Sequence, residues 1–229
     1  MRQIPLPIGP DPLHTFDGFV AGANGAALAH LRAMAASLQA PSAIPVYLWG
    51  VRGSGKTHLL RALADATRAR GLRAGCFDAA CIAPWPFDEG WSLLLLDGCE
   101  ALDATQQQAA FALFIEAATH GVPIVAAGAL PPVDLPLRDD LRTRLGWGHV
   151  FALEALAESD IRAALRREAD RRGIFLSDEV MAYLLTRFSR DLAHLMALLD
   201  RLDEFALSQH RAVTVPLLKR MFDEEGATL

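Results

Sequence analysis

Gly50-Val51-Arg52-Gly53-Ser54-Gly55-Lys56-Thr57 fits the pattern G-x-x-x-x-G-K-[ST] with no mismatch. Residues of these types at this spacing bind phosphate. The glycines let backbone N–H groups close around phosphate oxygens, and the start of the following helix adds its partial positive charge. Lys56 is then placed to reach the terminal phosphates and Thr57 to ligate magnesium. An acidic arm comes from Ser92-Leu93-Leu94-Leu95-Leu96-Asp97, a continuous apolar run ending in a carboxylate 47 residues beyond Gly50. A buried strand end gives that carboxylate a fixed direction, so Asp97 would hold Mg2+ through water beside Thr57. The site implied is one for the phosphates of a nucleotide with Mg2+. Hydrolysis is less well provided for. P-loop ATPases commonly place a second acid after the first to orient water, and here that residue is Gly98. Glu100, two residues on, either substitutes for it or caps the turn that follows.

These groups need a strand, a loop and a helix in that order, and the sequence supplies them. Val46-Tyr47-Leu48-Trp49 reads as a short buried strand, and Leu59, Leu60 and Leu63 line one face of a helix ending before Gly71. Residues 72–77 and 92–97 read as further strands, with 78–91, which holds two prolines and two tryptophans, as a loop between them. A helix over 106–120 buries Ala109, Ala110, Leu113, Phe114 and Ala117; residues 122–127 form another buried strand, and Pro123 is tolerable only at its start. At that strand's carboxyl end, where many such ATPases place a polar side chain against the terminal phosphate, stand Gly128, Ala129 and Leu130. Residues 149–153 read as the last strand. Upstream, Phe16 and Phe19 bracket a turn and suit either stacking on a purine or plugging the core, and an alanine-rich helix runs from about Gly25 to Leu38.

From residue 154 the chain turns helical and more charged. Ser159 or Asp160, Ser177 and Ser189 each suit a helix N-cap, and Thr214 with Pro216 opens a last helix. Arg190 falls in the first turn of the third helix, where a cation opposes the helix dipole. That cost points to a partner anion, either nucleotide phosphate or the adjacent Asp191.

The 229 residues suffice for one α/β core and a small satellite. A net charge of −5 gives no global basic footprint for nucleic acid, and the longest aliphatic run, Leu93 to Leu96, is far too short to span a bilayer. A cytoplasmic protein without a membrane partner is expected. Cys76, Cys81 and Cys99 lack paired metal spacing and read as reduced thiols. Residues 1–12 carry four prolines and form an extended tail. Its Ile4, Leu6 and Ile8 suit a groove that accepts a stiff peptide, or fold back onto their own domain.

The phosphate loop, the acid-ended strand and the helical C-terminal part together resemble the AAA+ fold, and Thr15-Phe16-Asp17-Gly18-Phe19-Val20, Arg144-Leu145-Gly146-Trp147-Gly148 and Arg190-Asp191-Leu192 resemble segments of the DnaA-like branch. Within that branch the chain is similar to the Hda family of initiator regulators. It stops after the helical part, and 78–91 is too short for the extra helix that initiators use on DNA. Gln3-Ile4-Pro5-Leu6-Pro7-Ile8 resembles the family's peptide for the sliding clamp, with isoleucine at its second and sixth positions.

The resemblance implies an α/β fold: an AAA+ P-loop domain over 13–153, with a parallel sheet flanked by helices, then a small all-α lid over 154–229. It implies a protein that negatively regulates chromosomal replication initiation. Bound to ADP, it would dock through the tail on the DNA-loaded beta subunit of DNA polymerase III and stimulate hydrolysis of ATP held by the DnaA initiator. Gly50, Gly53, Ser54, Gly55, Lys56, Thr57, Asp97 and Arg190 would surround the phosphates, and Phe16 and Val20 would flank the base. Arg144 matches the family's arginine finger, acting in trans; the alternative is a salt bridge to Asp139 or Asp140. DNA would be met only through the clamp, and a homo-oligomer is compatible with the family. The rival readings are a self-sufficient AAA+ ATPase such as a helicase loader, a small-molecule kinase using His58, and a clamp adaptor with a vestigial loop.

Overall fold

A continuous apolar strand needs cover on both faces, and the central strands of this chain have it. The computed structural model describes residues 14–38, 44–189, 191–209 and 211–226. The tail residues Gln3, Ile4, Leu6, Pro7 and Ile8, and also Arg190, lie outside the described residues. Strands β1 (Val46–Trp49), β2 (Arg73–Phe77), β3 (Trp91–Leu96), β4 (Ile124–Gly128) and β5 (His149–Ala152) form one parallel sheet in the order β2-β3-β4-β1-β5. Side chains alternate along each strand, so each apolar run splits between two cores. Tyr47, Leu94, Leu96, Ile124 and Ala126 face helices α3 (Ala104–His120) and α4 (Asp139–Gly146). Val46, Leu48, Leu93, Leu95, Val125 and Ala127 face α1 (Gly25–Ala36) and α2 (Lys56–Ala69), which supply Leu31, Leu59 and Leu63. This is an α/β sandwich with helices on both faces of a parallel sheet.

The expected strands all form, within two residues at each end. Pro123 stands just before β4, where its carbonyl accepts from Leu94 N at 3.0 Å. Helix α3 starts two residues earlier than its apolar pattern indicates because of a capping box: Asp103 accepts from Gln106 N at 2.8 Å while Gln106 Oε1 accepts from Asp103 N at 3.0 Å. Residues 78–90 are a loop, tied down by Gln106 Nε2 donating to the carbonyls of Ala79 and Cys81 and by Trp85 stacked on Phe77, while Trp91 already belongs to β3. Helix α4, absent from the expected elements, buries Leu141 and Leu145 against the first core. Strand β5 is the sheet's edge, and a Cβ on Gly148 would collide with the Pro45 carbonyl, so only glycine lets the chain enter the strand there.

The described residues fall into two compact units, one comprising those of 1–51 and 55–154, the other those of 52–54 and 155–229. In the second, α5 (Glu158–Arg171), α6 (Asp178–Arg187), α7 (Leu192–Gln209) and α8 (Val215–Gly226) enclose a core that includes Leu165, Met181, Leu199 and Leu218. Ser177 caps α6 and Thr214 caps α8, accepting from Val180 N and Leu217 N. Two other expected caps fall elsewhere. Ser159 and Asp160 lie inside the first turn of α5, whose N-cap is Ala157 without a side-chain bond. At α7 it is Asp191 that accepts from Ala193 N, at 2.9 Å, while Ser189 accepts from Asp191 N.

Two bonds in these units give testable consequences. Asn24, which is buried, accepts from Glu154 N at 2.8 Å and donates to Glu154 O at 2.9 Å, tying the start of α1 to the chain leaving β5. Asn24→Ala removes both bonds and should cost about 1–3 kcal/mol, read as a lower thermal midpoint. In the helical unit the Arg171 and Arg172 guanidiniums hold the Glu168 carboxyl down to about 2. A depressed folded-state pKa adds stability above the unfolded value and loses it as pH falls through the folded one. Unfolding of this unit should therefore become easier between pH 5 and 2, roughly the window between those two values, and Glu168→Gln should flatten that dependence in acid melts.

Candidate functional site

Parallel pairing brings the carboxyl ends of β1, β3 and β4 to one edge, where Trp49 lies opposite Gly128 and Leu96 opposite Ala126. The residues after these ends are Gly50, Asp97 and Ala129. The loop from Gly50 to Gly55 turns through two left-handed positions, Gly53 (φ +81°) and Gly55 (φ +95°), the second being the N-cap of α2. A Cβ on Gly55 would stand 2.5 Å from Phe19 Cε2, so the Phe19 ring lies directly on the loop and requires glycine there. Ser54 is buried.

Lys56 and Thr57 open α2. The Lys56 ammonium donates to the carbonyls of Gly50 at 2.6 Å and Val51 at 2.9 Å. Burial pulls its pKa below the ordinary lysine value, opposed by the negative charges of Glu100 and then Asp97. Thr57 Oγ1 donates to Asp97 Oδ2 at 2.7 Å, joining the first turn of α2 to the end of β3. Hydroxyl, carboxylate, ammonium and the backbone amides of a glycine loop at a helix start are the donor set that a magnesium polyphosphate requires. A cavity of about 550 Å3 adjoins Thr57 and Asp97 and is also lined by Arg61, Arg68 and Asp78.

The water-orienting position after Asp97 is Gly98, in the left-handed region with φ +64°, and it opens the short 3-10 turn Cys99–Ala101. Glu100 makes no cap for that turn. Its Oε2 instead accepts from Ala129 N at 2.9 Å, crossing from the end of β3 to the end of β4. Behind it the Tyr47 hydroxyl donates to Leu130 O at 2.9 Å, and burial, followed by the Cys99 and Glu100 charges, pushes the phenol pKa up. A methyl at Gly128 would collide with that hydroxyl and lie 3.0 Å from Glu100 Oε2, so glycine is the only fit.

Phe16 and Phe19 both pack, partly buried, against the α1–α2 core, and Val20 is half-buried. Arg144 lies in the last turn of α4, with its guanidinium 5.0 Å from the centre of the Phe111 ring. It has no ion pair among the described residues. Asp139 pairs with Arg142 at 2.6 Å and Asp140 with Arg138 at 2.7 Å. Beside it is a second cavity of about 660 Å3, with Phe114, Ala117, Ile124 and the 70% exposed Trp147 on its walls. Within one unit the structure thus brings Gly50, Gly55, Lys56, Thr57 and Asp97 together and places Arg144 on α4; Gly53 and Ser54 lie in the loop between Gly50 and Gly55. No motif or spacing signals the Glu100–Ala129 and Tyr47–Leu130 bonds or the Phe111 contact, because each joins separate elements.

The model of the Hda lid domain matches residues 158–222, and that of the bacterial DnaA ATPase domain matches residues 11–73. An uncharacterized protein of Haemophilus influenzae is 31% identical over 234 residues, spanning 97% of this chain and 99% of its own. Among solved structures, domain III of the Thermotoga maritima replication initiation protein DnaA superposes with a TM-score of 0.76 at 21% identity, over 94% of this chain and 98% of that one. AMPPCP-bound DnaA from Aquifex aeolicus gives 0.69 at 21% identity, over 84% and 66%. A Thermotoga maritima RuvB variant gives 0.67 at 15% identity, over 92% and 71%. At these identities the structural likenesses speak for the fold, an AAA+ parallel sheet followed by a helical lid. Together with the two family matches and the full-length relative they place the molecule: the chain belongs to the Hda/DnaA-like AAA+ proteins.

Proposed function

We propose that this chain is a DnaA-related negative regulator of replication initiation, a nucleotide-responsive protein that acts on ATP held by the initiator. The observation that carries the proposal is the contrast between its two halves of a hydrolytic site. The binding half is intact: Thr57 and Asp97 are hydrogen-bonded and Lys56 stands at the loop. The cleaving half is bare, with Gly98 after the acid and Ala129 after β4. AMPPCP-bound DnaA among the similar structures supports a nucleotide in this fold; here Gly50, Gly53, Ser54, Gly55, Lys56, Thr57 and Asp97 would surround it, with Arg190 as a further phosphate partner. Bound magnesium would neutralise phosphate charge; Thr57 would ligate it and Asp97 would orient its water. In this reading ADP is the resting occupant, Phe16 and Val20 flank its base, and the protein is cytoplasmic.

Arg144 is the residue that acts on the partner. A guanidinium resting on an aromatic face keeps its N–H fork available, whereas one locked to a carboxylate must break that pair first. Presented to the initiator's ATP, it would stabilise charge developing on the transferred phosphoryl group. The tail residues Gln3, Ile4, Leu6, Pro7 and Ile8 are assigned to the sliding clamp, which brings the protein to DNA.

Two experiments test this. Hydrolysis of ATP bound to DnaA, with clamp-loaded DNA, should be stimulated by the chain, and Arg144→Ala should reduce the stimulated rate by about a thousandfold without weakening the chain's own nucleotide binding. Unaided turnover of ATP by the pure protein, with DnaA unaffected, would favour the self-sufficient ATPase. Replacing Gln3, Leu6 and Pro7 together by alanine should abolish binding to immobilised clamp while leaving nucleotide affinity unchanged, and retained clamp affinity would refute the tail assignment.

A further inference from the structure

Glu100, four residues beyond the end of β3, is a carboxylate that phosphate binding does not use, and its placement is fixed. Its Oε2 accepts from Ala129 N at 2.9 Å. Any phosphate oxygen reaching the end of β4 would meet that amide already engaged, with an anion in front of it. The Tyr47 hydroxyl at the same place is also committed, donating to Leu130 O. Neither Gly98 nor Ala129 carries a side-chain donor that would offset the charge. Glu100 also acts on the Lys56 ammonium more strongly than Asp97 does. In a phosphate loop that ammonium serves the second and third phosphates, so Glu100 and a third phosphate would draw on the same cation.

We propose that Glu100 sets the nucleotide preference: its carboxylate, anchored on the Ala129 amide, opposes a third phosphate and leaves a nucleoside diphosphate as the favoured ligand. The inference rests on the reading that the loop binds nucleotide with ADP as the resting form. A diphosphate ends short of the carboxylate and keeps Lys56. A triphosphate adds negative charge against an anion that cannot withdraw without freeing a backbone N–H. The repulsion is set by Coulomb's law at short range in a partly buried site, where water screens poorly.

The test is titration calorimetry of the full chain with Mg-ADP and Mg-AMPPCP, a triphosphate that is not hydrolysed, for the wild type, Glu100→Gln and Glu100→Ala. Glu100→Gln retains an acceptor for the Ala129 N–H, so it removes charge while keeping the fold, and thermal melts without nucleotide check this for both variants. The wild type should favour ADP. Glu100→Gln should leave ADP affinity within about threefold and tighten AMPPCP by about tenfold, collapsing the ratio. If the wild type prefers ADP and Glu100→Gln keeps the same ratio, the assignment of Glu100 is overturned while the ADP reading stands. Equal affinities in the wild type overturn the ADP reading and with it any need for a selector. Loss of the protein's own ATP turnover in Glu100→Gln at an unchanged ratio would make Glu100 a water-orienting base instead, which also overturns the proposal.

Discussion

Parallel pairing of β1, β3 and β4 is the constraint on which the rest of the molecule depends. Parallel strands deliver their carboxyl ends to the same edge, so the residues after Trp49, Leu96 and Gly128 become neighbours although they are far apart in sequence. The hydrogen bonds from Thr57 to Asp97 and from Ala129 N to Glu100 then each join the ends of two different elements. A slip of one residue in any pairing would exchange the two cores and send Tyr47, Leu94 and Leu96 to the wrong face. The burial of those side chains therefore fixes register, and register fixes the site.

Close approach imposes a second set of conditions. Gly55 carries the Phe19 ring, Gly128 lies against Tyr47, and Gly148 lies against the Pro45 carbonyl. In each case the backbone comes so near that no side chain fits. The first two act on the site directly. Phe19 presses on the loop in front of Lys56, so the segment before α1 shapes the phosphate loop as well as filling the core. Tyr47 occupies the space behind Gly128, and its bond to Leu130 O directs the chain leaving β4 past Glu100.

The elements were legible wherever one physical signal dominated. Apolar runs marked β1, β3 and β4, the glycine-lysine-threonine spacing marked the loop, and Ser177 and Thr214 marked two helix starts. Legibility failed where a contact between distant residues decided the outcome. Asp103 and Gln106 start α3 early through a reciprocal bond, and α4 forms over a charged stretch because Leu141 and Leu145 find the first core. Ser159 and Asp160 have the chemistry of caps but are the second and third residues of a helix whose first turn buries Ile161, with Leu165 one turn on. Most of the binding half of the site could be read from spacing. Glu100 could not be placed, because its partner is an amide 29 positions away, just past the end of β4.

What separates holding a nucleotide from cleaving it in this chain is the kind of group at each strand end. The end of β3 offers a carboxylate to a hydroxyl, a pairing that a hard cation can take over with little rearrangement, because both groups are already aimed at one point. The end of β4 presents a backbone amide to the Glu100 carboxylate, which consumes the amide and adds negative charge where developing negative charge would need relief. Arg144, the cation that would relieve such charge, stands on α4 over Phe111, its guanidinium bound by a ring face and by no carboxylate among the described residues. A ring face holds a guanidinium without occupying its N–H edges, so the group is positioned yet still able to form a bidentate bond with an incoming anion. Under the proposed function, the end of β4 in the chain's own site lacks a side-chain donor while the relieving cation stands on a separate helix, the division of labour that chemistry completed on a neighbour's nucleotide would require.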